Sequence, residues 1–234
     1  MGGGMVTPLE ERLTTRDRLA IGAGLIGTTT IALGAIVTAL GYEGTHGQRY
    51  SPLNHWVSEL GEIGVSDLAP VFNGALVIGG ACFVVFMIGL AAARRGWLPL
   101  VYGGLGVVAG VAGMGVGIFP MNELDMHGLV ALTFFNLGWV VVGIASLHFV
   151  AAPDRRFPRW LALIGAATVA AFIVFLASLQ AEGLVGEDAL GPPAVRPDAW
   201  IVPTLEWALI VGILAWVFLT AFAWWRASRP GEPG

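Results

Sequence analysis

The chain has 234 residues, of which 56% are hydrophobic and only 12% charged, with a formal net charge of −4. A soluble domain carries about 25% charged residues, so this composition, with its mean hydropathy of +0.77, excludes an ordinary soluble globular domain. All basic residues are arginines, and the single cysteine, Cys82, excludes an internal disulfide and reads as a small buried apolar residue.

The N-terminal residues are Gly-rich and charged, and the apolar block after them is too long for a signal h-region, so no cleavable signal peptide is expected. Apolar runs of about 18 residues or more read as membrane helices. They occur at Leu19–Leu40, Ala69–Ala92, Leu98–Phe119, His127–Val150, Trp160–Leu179 and Val202–Trp225. The expected fold is all-α: a six-transmembrane-helix bundle over residues 18–226, with tails at 1–17 and 227–234.

If the chain alternates across the bilayer, Arg12, Arg16, Arg18, Arg94, Arg95, Arg155, Arg156, Arg159, Arg226 and Arg229 share one side, and only Arg49 and Arg196 fall on the other. The positive-inside rule places that basic side, with both tails, in the cytoplasm of a multi-pass cell-membrane protein. Basic edges of this kind report membrane topology rather than nucleic-acid binding. The acids Glu43, Glu59, Glu62, Asp67, Glu123, Asp125, Glu182, Glu187, Asp188, Asp198 and Glu206 lie outside or near the outer boundary.

The first outer segment holds the densest set of functional side chains, Tyr50 to Glu62. Read as a short amphipathic helix, it places Ser51, His55, Ser58, Glu59 and Glu62 on one face and Leu53, Trp56, Val57 and Leu60 on the other. Ser51 followed by Pro52 is a suitable helix start. Asn73 and Asn136 sit at membrane depth, where interhelical hydrogen bonds are their ordinary use.

The third span carries glycines at 103, 106, 110, 113 and 117, on one stripe. Small residues let membrane helices approach closely, so this helix is expected at the centre of the bundle. Pairing with a second copy is the other use of that stripe. The remaining outer segments are a tight turn from Pro120 to Met126 and an acidic, Gly- and Pro-rich stretch from Gln180 to Ile201. Elaboration on one side only places the work outside, around an outward-facing polar pocket.

His55 and Glu59, at i and i+4, can aim an imidazole and a carboxylate at one point, and Asp125 and His127 flank the start of the fourth span. His46 precedes the cluster and Glu206 lies in the first turns of the sixth span. His55, His127 and Asp125 are the candidate ligands for a divalent metal such as zinc. The catalytic candidates are His127, Asp125, Glu59, Ser51 and His55, with Ser51 or Ser58 positioning a substrate oxygen. The bland reading makes Ser51 and Asp125 caps, and Glu59 and Glu62 solvated charges. A bis-histidine haem does not fit, since His148 at the inner end has no partner at its depth. No phosphate-binding glycine motif, nucleophile elbow or Cys-x-x-Cys occurs.

Tyr50-Ser51-Pro52, Ser58-Glu59-Leu60-Gly61, Asn73-Gly74, Phe119-Pro120 and Asp125-x-His127 occur in this order along the chain. The pattern resembles the prokaryotic six-span membrane family catalogued as domain of unknown function nine-nine-eight, over roughly residues 18 to 226. It is more distantly similar to membrane proteins of the Frag/DRAM/Sfk type. The first resemblance implies the six-span fold and no activity, and the second implies lipid handling by analogy of fold. Two functions stand open. One is binding or processing of lipid or lipid-linked substrates at the outer leaflet, with hydrolase or transferase chemistry. The other is a non-enzymatic transporter or membrane assembly factor; the absence of charge at mid-depth weighs against proton coupling.

Overall fold

A computed structural model describes residues 13–45, 47–184 and 196–229. Six helices, α1 (Thr15–Leu40), α2 (Ala69–Ala92), α3 (Leu98–Ile118), α4 (Leu124–Ala151), α5 (Leu161–Ala181) and α6 (Ile201–Ala227), are each long and apolar enough to cross a membrane. At 1.5 Å per residue the shortest, of 21 residues, spans about the 30 Å of a bilayer core. A capping box starts α1: Thr14 Oγ1 accepts the Asp17 N–H at 3.1 Å, and the Asp17 carboxylate accepts the Thr14 N–H at 3.0 Å. Pro70 and Pro99 stand in the first turns of α2 and α3, where no intrahelical donor is lost.

The helices close into a ring. Each packs on its neighbours in sequence, and α1 completes the circle against α6. The third helix is therefore one stave between α2 and α4, not the central post that its glycines suggest. The reason lies in where those glycines point. A Cβ on Gly103 would stand 2.6 Å from the Ala91 Cβ, one on Gly106 2.6 Å from Met87, and one on Gly117 2.5 Å from the Asn73 carbonyl oxygen. Gly110 and Gly80 face each other across the same seam. The stripe makes one very close interface with α2, and Gly115 serves α4 through Val130.

The two halves of the ring are built differently. On the side of α4, α5 and α6 the interior is filled by large side chains: Phe149 stacks on Phe157 and Trp216 (centroids 5.4 and 6.1 Å apart), and Trp216 donates to Ser146 Oγ at 3.1 Å. On the side of α1, α2 and α3 the contacts run through Gly24, Gly27, Gly34, Gly79, Gly80 and Gly89. These bring backbones together but carry no side chain to fill the middle.

The first outer segment folds back over the ring as turns and a 3-10 helix, Val57–Gly61. The continuous amphipathic helix from Ser51 does not form. The chain turns at Ser51–His55, then Trp56 is extended (φ −63°, ψ 148°), because Tyr50 and Glu59 both take up the backbone around Trp56. His46 lies outside the described residues.

The close α2–α3 seam yields a prediction. Gly110→Val, whose Cβ would lie 2.7 Å from Val84 and 3.2 Å from the Gly80 carbonyl oxygen, should lower thermal stability in detergent by about 1–3 kcal/mol. Gly104→Val, with nothing within 4 Å of its Cβ, should leave the melting midpoint in place.

Candidate functional site

The end of the ring opposite the termini is closed by the first loop, and the loop is held by side-chain and backbone groups from four other places. Asn73 of α2 donates to the Gly61 carbonyl at 2.9 Å. Asn122, in the α3–α4 turn, accepts the Ile63 N–H at 2.8 Å and donates to the Ile63 carbonyl at 3.0 Å. The Trp200 N–H, at the head of α6, donates to the Leu53 carbonyl at 2.7 Å, and Asn54 Nδ2 donates to the Pro197 carbonyl at 2.8 Å. Trp207 Nε1 donates to the Tyr50 hydroxyl at 2.8 Å, which in turn donates to the Trp56 carbonyl at 2.9 Å.

Glu59 is the centre of this network. It is 1% exposed, not solvated. Its Oε1 accepts the Trp56 N–H at 2.8 Å and Arg196 Nη1 at 3.0 Å, while Oε2 accepts Arg196 Nη2 at 2.8 Å. Arg196 Nη1 also donates to the Asn54 carbonyl at 2.6 Å. The two-pronged pair fixes the first loop to the segment entering α6. Burial, with the Glu59 carboxylate close by, pushes the Tyr42 phenol well above its ordinary range, and burial with the neighbouring Glu206 does the same to Tyr50. Burial and then Glu59 raise Glu62 above the usual carboxylate range.

His55 is also structural in its surroundings. It is buried, with Tyr42 and Tyr50 at centroid distances of 5.5 and 5.0 Å. Its Nδ1 lies 2.7 Å from Asn54 Oδ1 and 3.3 Å from the Ser51 N–H; the shorter contact is to an acceptor, so the proton sits on Nδ1. Nε2 is buried with no hydrogen-bond partner. Burial lowers the His55 pKa against the upward pull of Glu59, so the ring is neutral near pH 7. Ser51 Oγ accepts the Leu53 N–H at 3.3 Å, capping the turn.

Asp125 and His127 part company. In the first turn of α4, Asp125 is exposed whereas His127 is buried, because residues two apart on a helix face opposite ways. His127 Nδ1 lies 2.8 Å from the Phe119 carbonyl oxygen, which can only accept. Nδ1 therefore carries a proton. Among the described residues no three His, Cys, Asp or Glu side chains converge as metal ligands would. Of the expected ligands, His55 and His127 are buried and Asp125 is exposed.

Beneath the roof lies a cavity of about 260 Å³, lined by α1, α2, α3, α4, α6 and, from the roof, Val57 and Ser58. It differs from the polar outward-facing pocket expected from the sequence: its wall is apolar except for a few groups near the roof and Thr28. Glu206, buried in the second turn of α6, accepts the Val57 N–H on Oε2 at 2.7 Å. Ser58 lies 3.1 Å (Oγ) from Met121 Sδ, and His127 completes the polar end. Ile36 of α1 and Val211 of α6 also line the cavity and are more than half exposed, so the α1–α6 seam is where it approaches lipid.

Sequence reasoning did not connect Arg196 with Glu59, or Glu206 with the roof. Signals existed: Arg196 is one of two arginines off the basic side, and Glu206 is an acid inside an apolar span. Removing one partner of a buried ion pair strands the other. Glu59→Gln should therefore destabilise the protein by about 2–3 kcal/mol in thermal unfolding. Asp125→Asn, on the exposed first turn, should stay within about 0.5 kcal/mol of the parent.

No curated protein and no solved structure matches the chain. The family model described as "Protein of unknown function (DUF998)" matches residues 30–224, from the middle of α1 to the last turn of α6. The match takes in the roof, its anchors and nearly the whole cavity wall, and this six-span membrane protein belongs to that family.

Proposed function

We propose that the protein binds a lipid or lipid-linked molecule in the cavity, its chain along the apolar wall and its head at Glu206, His127 and Ser58. The observation that carries this reading is an apolar cavity with polar groups gathered at one end, under a pinned roof. Its volume of about 260 Å³ exceeds the roughly 150 Å³ that accommodates benzene and approaches the roughly 300 Å³ of small ligand pockets. Entry is lateral, at the α1–α6 seam beside Ile36 and Val211.

The chain alone gives little selectivity, because bilayer hydrocarbon is as apolar as the cavity wall. Preference comes from the head. No arginine lines the cavity, and the polar groups there are a carboxyl, an imidazole and a hydroxyl. That set favours a head that donates hydrogen bonds, an alcohol or an amine, over a phosphate. In this reading Ser51, His55 and Glu59 position the roof and do not touch the ligand, and Asp125 faces water. The arginines gathered at the end that carries both termini support a topology with that end in the cytoplasm and the roof on the outer face.

The test is native mass spectrometry and lipid extraction of the detergent-purified protein. Gly113 lines the cavity and its Cβ would meet only Phe134, at 3.7 Å, so Gly113→Phe fills the space without striking backbone. The parent should carry a stoichiometric lipid that Gly113→Phe loses, while Gly104→Phe on the exposed face keeps it. Glu206→Leu should retain the fold and change which lipid is held. Equal lipid content in all four proteins would refute the proposal.

A further inference from the structure

The opposite end of the bundle, which carries both termini, has its own concavity. It measures about 520 Å³ and lies between the start of α1, the α2–α3 turn, the α4–α5 turn and the end of α6. Arg16, Arg94, Arg95, Arg155 and Arg156 line it, against Asp17 and Asp154.

Both acids are already engaged. Asp17 accepts the Thr14 N–H in the capping box. Asp154 receives Arg156 through Nε and Nη2, the latter at 2.8 Å, and Arg94 Nη1 at 3.2 Å. Burial pushes the Asp154 carboxyl up, and the Arg156 hydrogen bonds with the charges of both arginines outweigh it, so its pKa lies below the ordinary value. The same two arginines tie the turns together. Arg94 donates to the Ala152 and His148 carbonyls, and Arg156 to the Ala93 carbonyl at 3.0 Å. The wall is thus preorganised and carries more positive than negative charge. Arg16, Arg95 and Arg155 have no ion pair or hydrogen bond from their side chains to any described residue.

A second observation is independent of charge. His148 and Trp224 belong to the same wall and are 6% and 0% exposed. Among the described residues neither His148 Nδ1 nor Trp224 Nε1, both buried, has a hydrogen-bond partner. Buried polar atoms in native proteins are nearly always paired, and an indole N–H can only donate. Arginines placed solely to orient the chain in the bilayer need neither a shared concavity nor orphaned polar atoms behind it.

We propose that this concavity binds a phosphate-type anion, held by Arg95, Arg155 and Arg16 over the Arg94–Asp154–Arg156 frame, with Trp224 and His148 at its back. Guanidinium groups match phosphate oxygens in pairs. The anion comes either from a phospholipid headgroup at the membrane surface or from free phosphate in the solvent.

The experiment uses the full chain. Inorganic phosphate is titrated by calorimetry into the detergent-solubilised protein. In parallel, the protein in nanodiscs of phosphatidylcholine, with or without phosphatidic acid, is released and its retained lipid is read by native mass spectrometry. Two double variants are compared with the parent: Arg95→Gln with Arg155→Gln in the wall, and Arg18→Gln with Arg159→Gln at the same end but outside that wall. Both leave the Asp154 frame intact and remove equal charge. The wall pair should weaken binding by about tenfold or more, with the second pair near parent. Retained phosphatidic acid without phosphate binding assigns the anion to a lipid, and saturable phosphate binding without lipid preference assigns it to a soluble species. Absence of both, or equal weakening in the two pairs, overturns the proposal.

Discussion

A carboxylate buried in the shell of a membrane bundle is tolerated only when its charge and its lone pairs are met, and the roofed half of this protein is arranged around meeting those of Glu59. Arg196 and the Trp56 N–H do so from two directions. The first bends the segment ahead of α6 onto the first loop; the second stops that loop from continuing as one helix and turns it into the 3-10 segment. With that segment fixed, the Val57 N–H is delivered to Glu206 and the mouth of the ring opposite the termini is covered. The Glu59–Arg196 pair also sets how α6 enters the bundle. Since α6 is the helix that closes on α1, this largely buried ion pair stands where the chain turns into the helix that completes the ring.

The cavity has a simple origin in side-chain size. Membrane helices gain stability from close packing and not from squeezing out water. Glycine at the α1–α2 and α2–α3 seams gives the closest approach. A glycine face adds no side-chain bulk to the interior once its neighbours are in contact, whereas Trp216, Phe149 and Phe172 fill the space beside α5. The ring is therefore solid on one side and hollow on the other. The hollow is apolar because the seams that created it are apolar.

The spans were legible because hydrophobic length is a one-dimensional property, and the arginine distribution reads in the same way. The importance of the first loop was legible too, since polar groups at a bilayer edge need a reason. The packing order was not. A glycine stripe tells how close two helices come but is silent on which side of a ring they occupy, so α3 was misplaced as a centre. The loop failed differently. Helical periodicity from Ser51 to Glu62 is real in sequence, yet Tyr50, Glu59 and Arg196 compete for the backbone around Trp56 and break it, and Arg196 lies far away in the chain. Asp125 and His127 were grouped by proximity, and the helix that begins there separates them.

The two ends handle charge in opposite ways, and this bears on what each can do. At the roof, the buried polar groups of Glu59, Asn73 and Tyr50 are matched within the chain, leaving Glu206, His127 and Ser58 to face the cavity. A few polar groups at the end of an apolar space discriminate well between heads and poorly between chains. At the terminal end the frame of Arg94, Asp154 and Arg156 is satisfied, and Arg16, Arg95 and Arg155 stand beside it without an ion pair to any described residue. Like charges gathered on a rigid wall raise its potential, and an anion held there would lower it. The apolar cavity and the basic concavity are thus complementary to different parts of an amphiphile's chemistry, and they lie at opposite ends of one ring of helices.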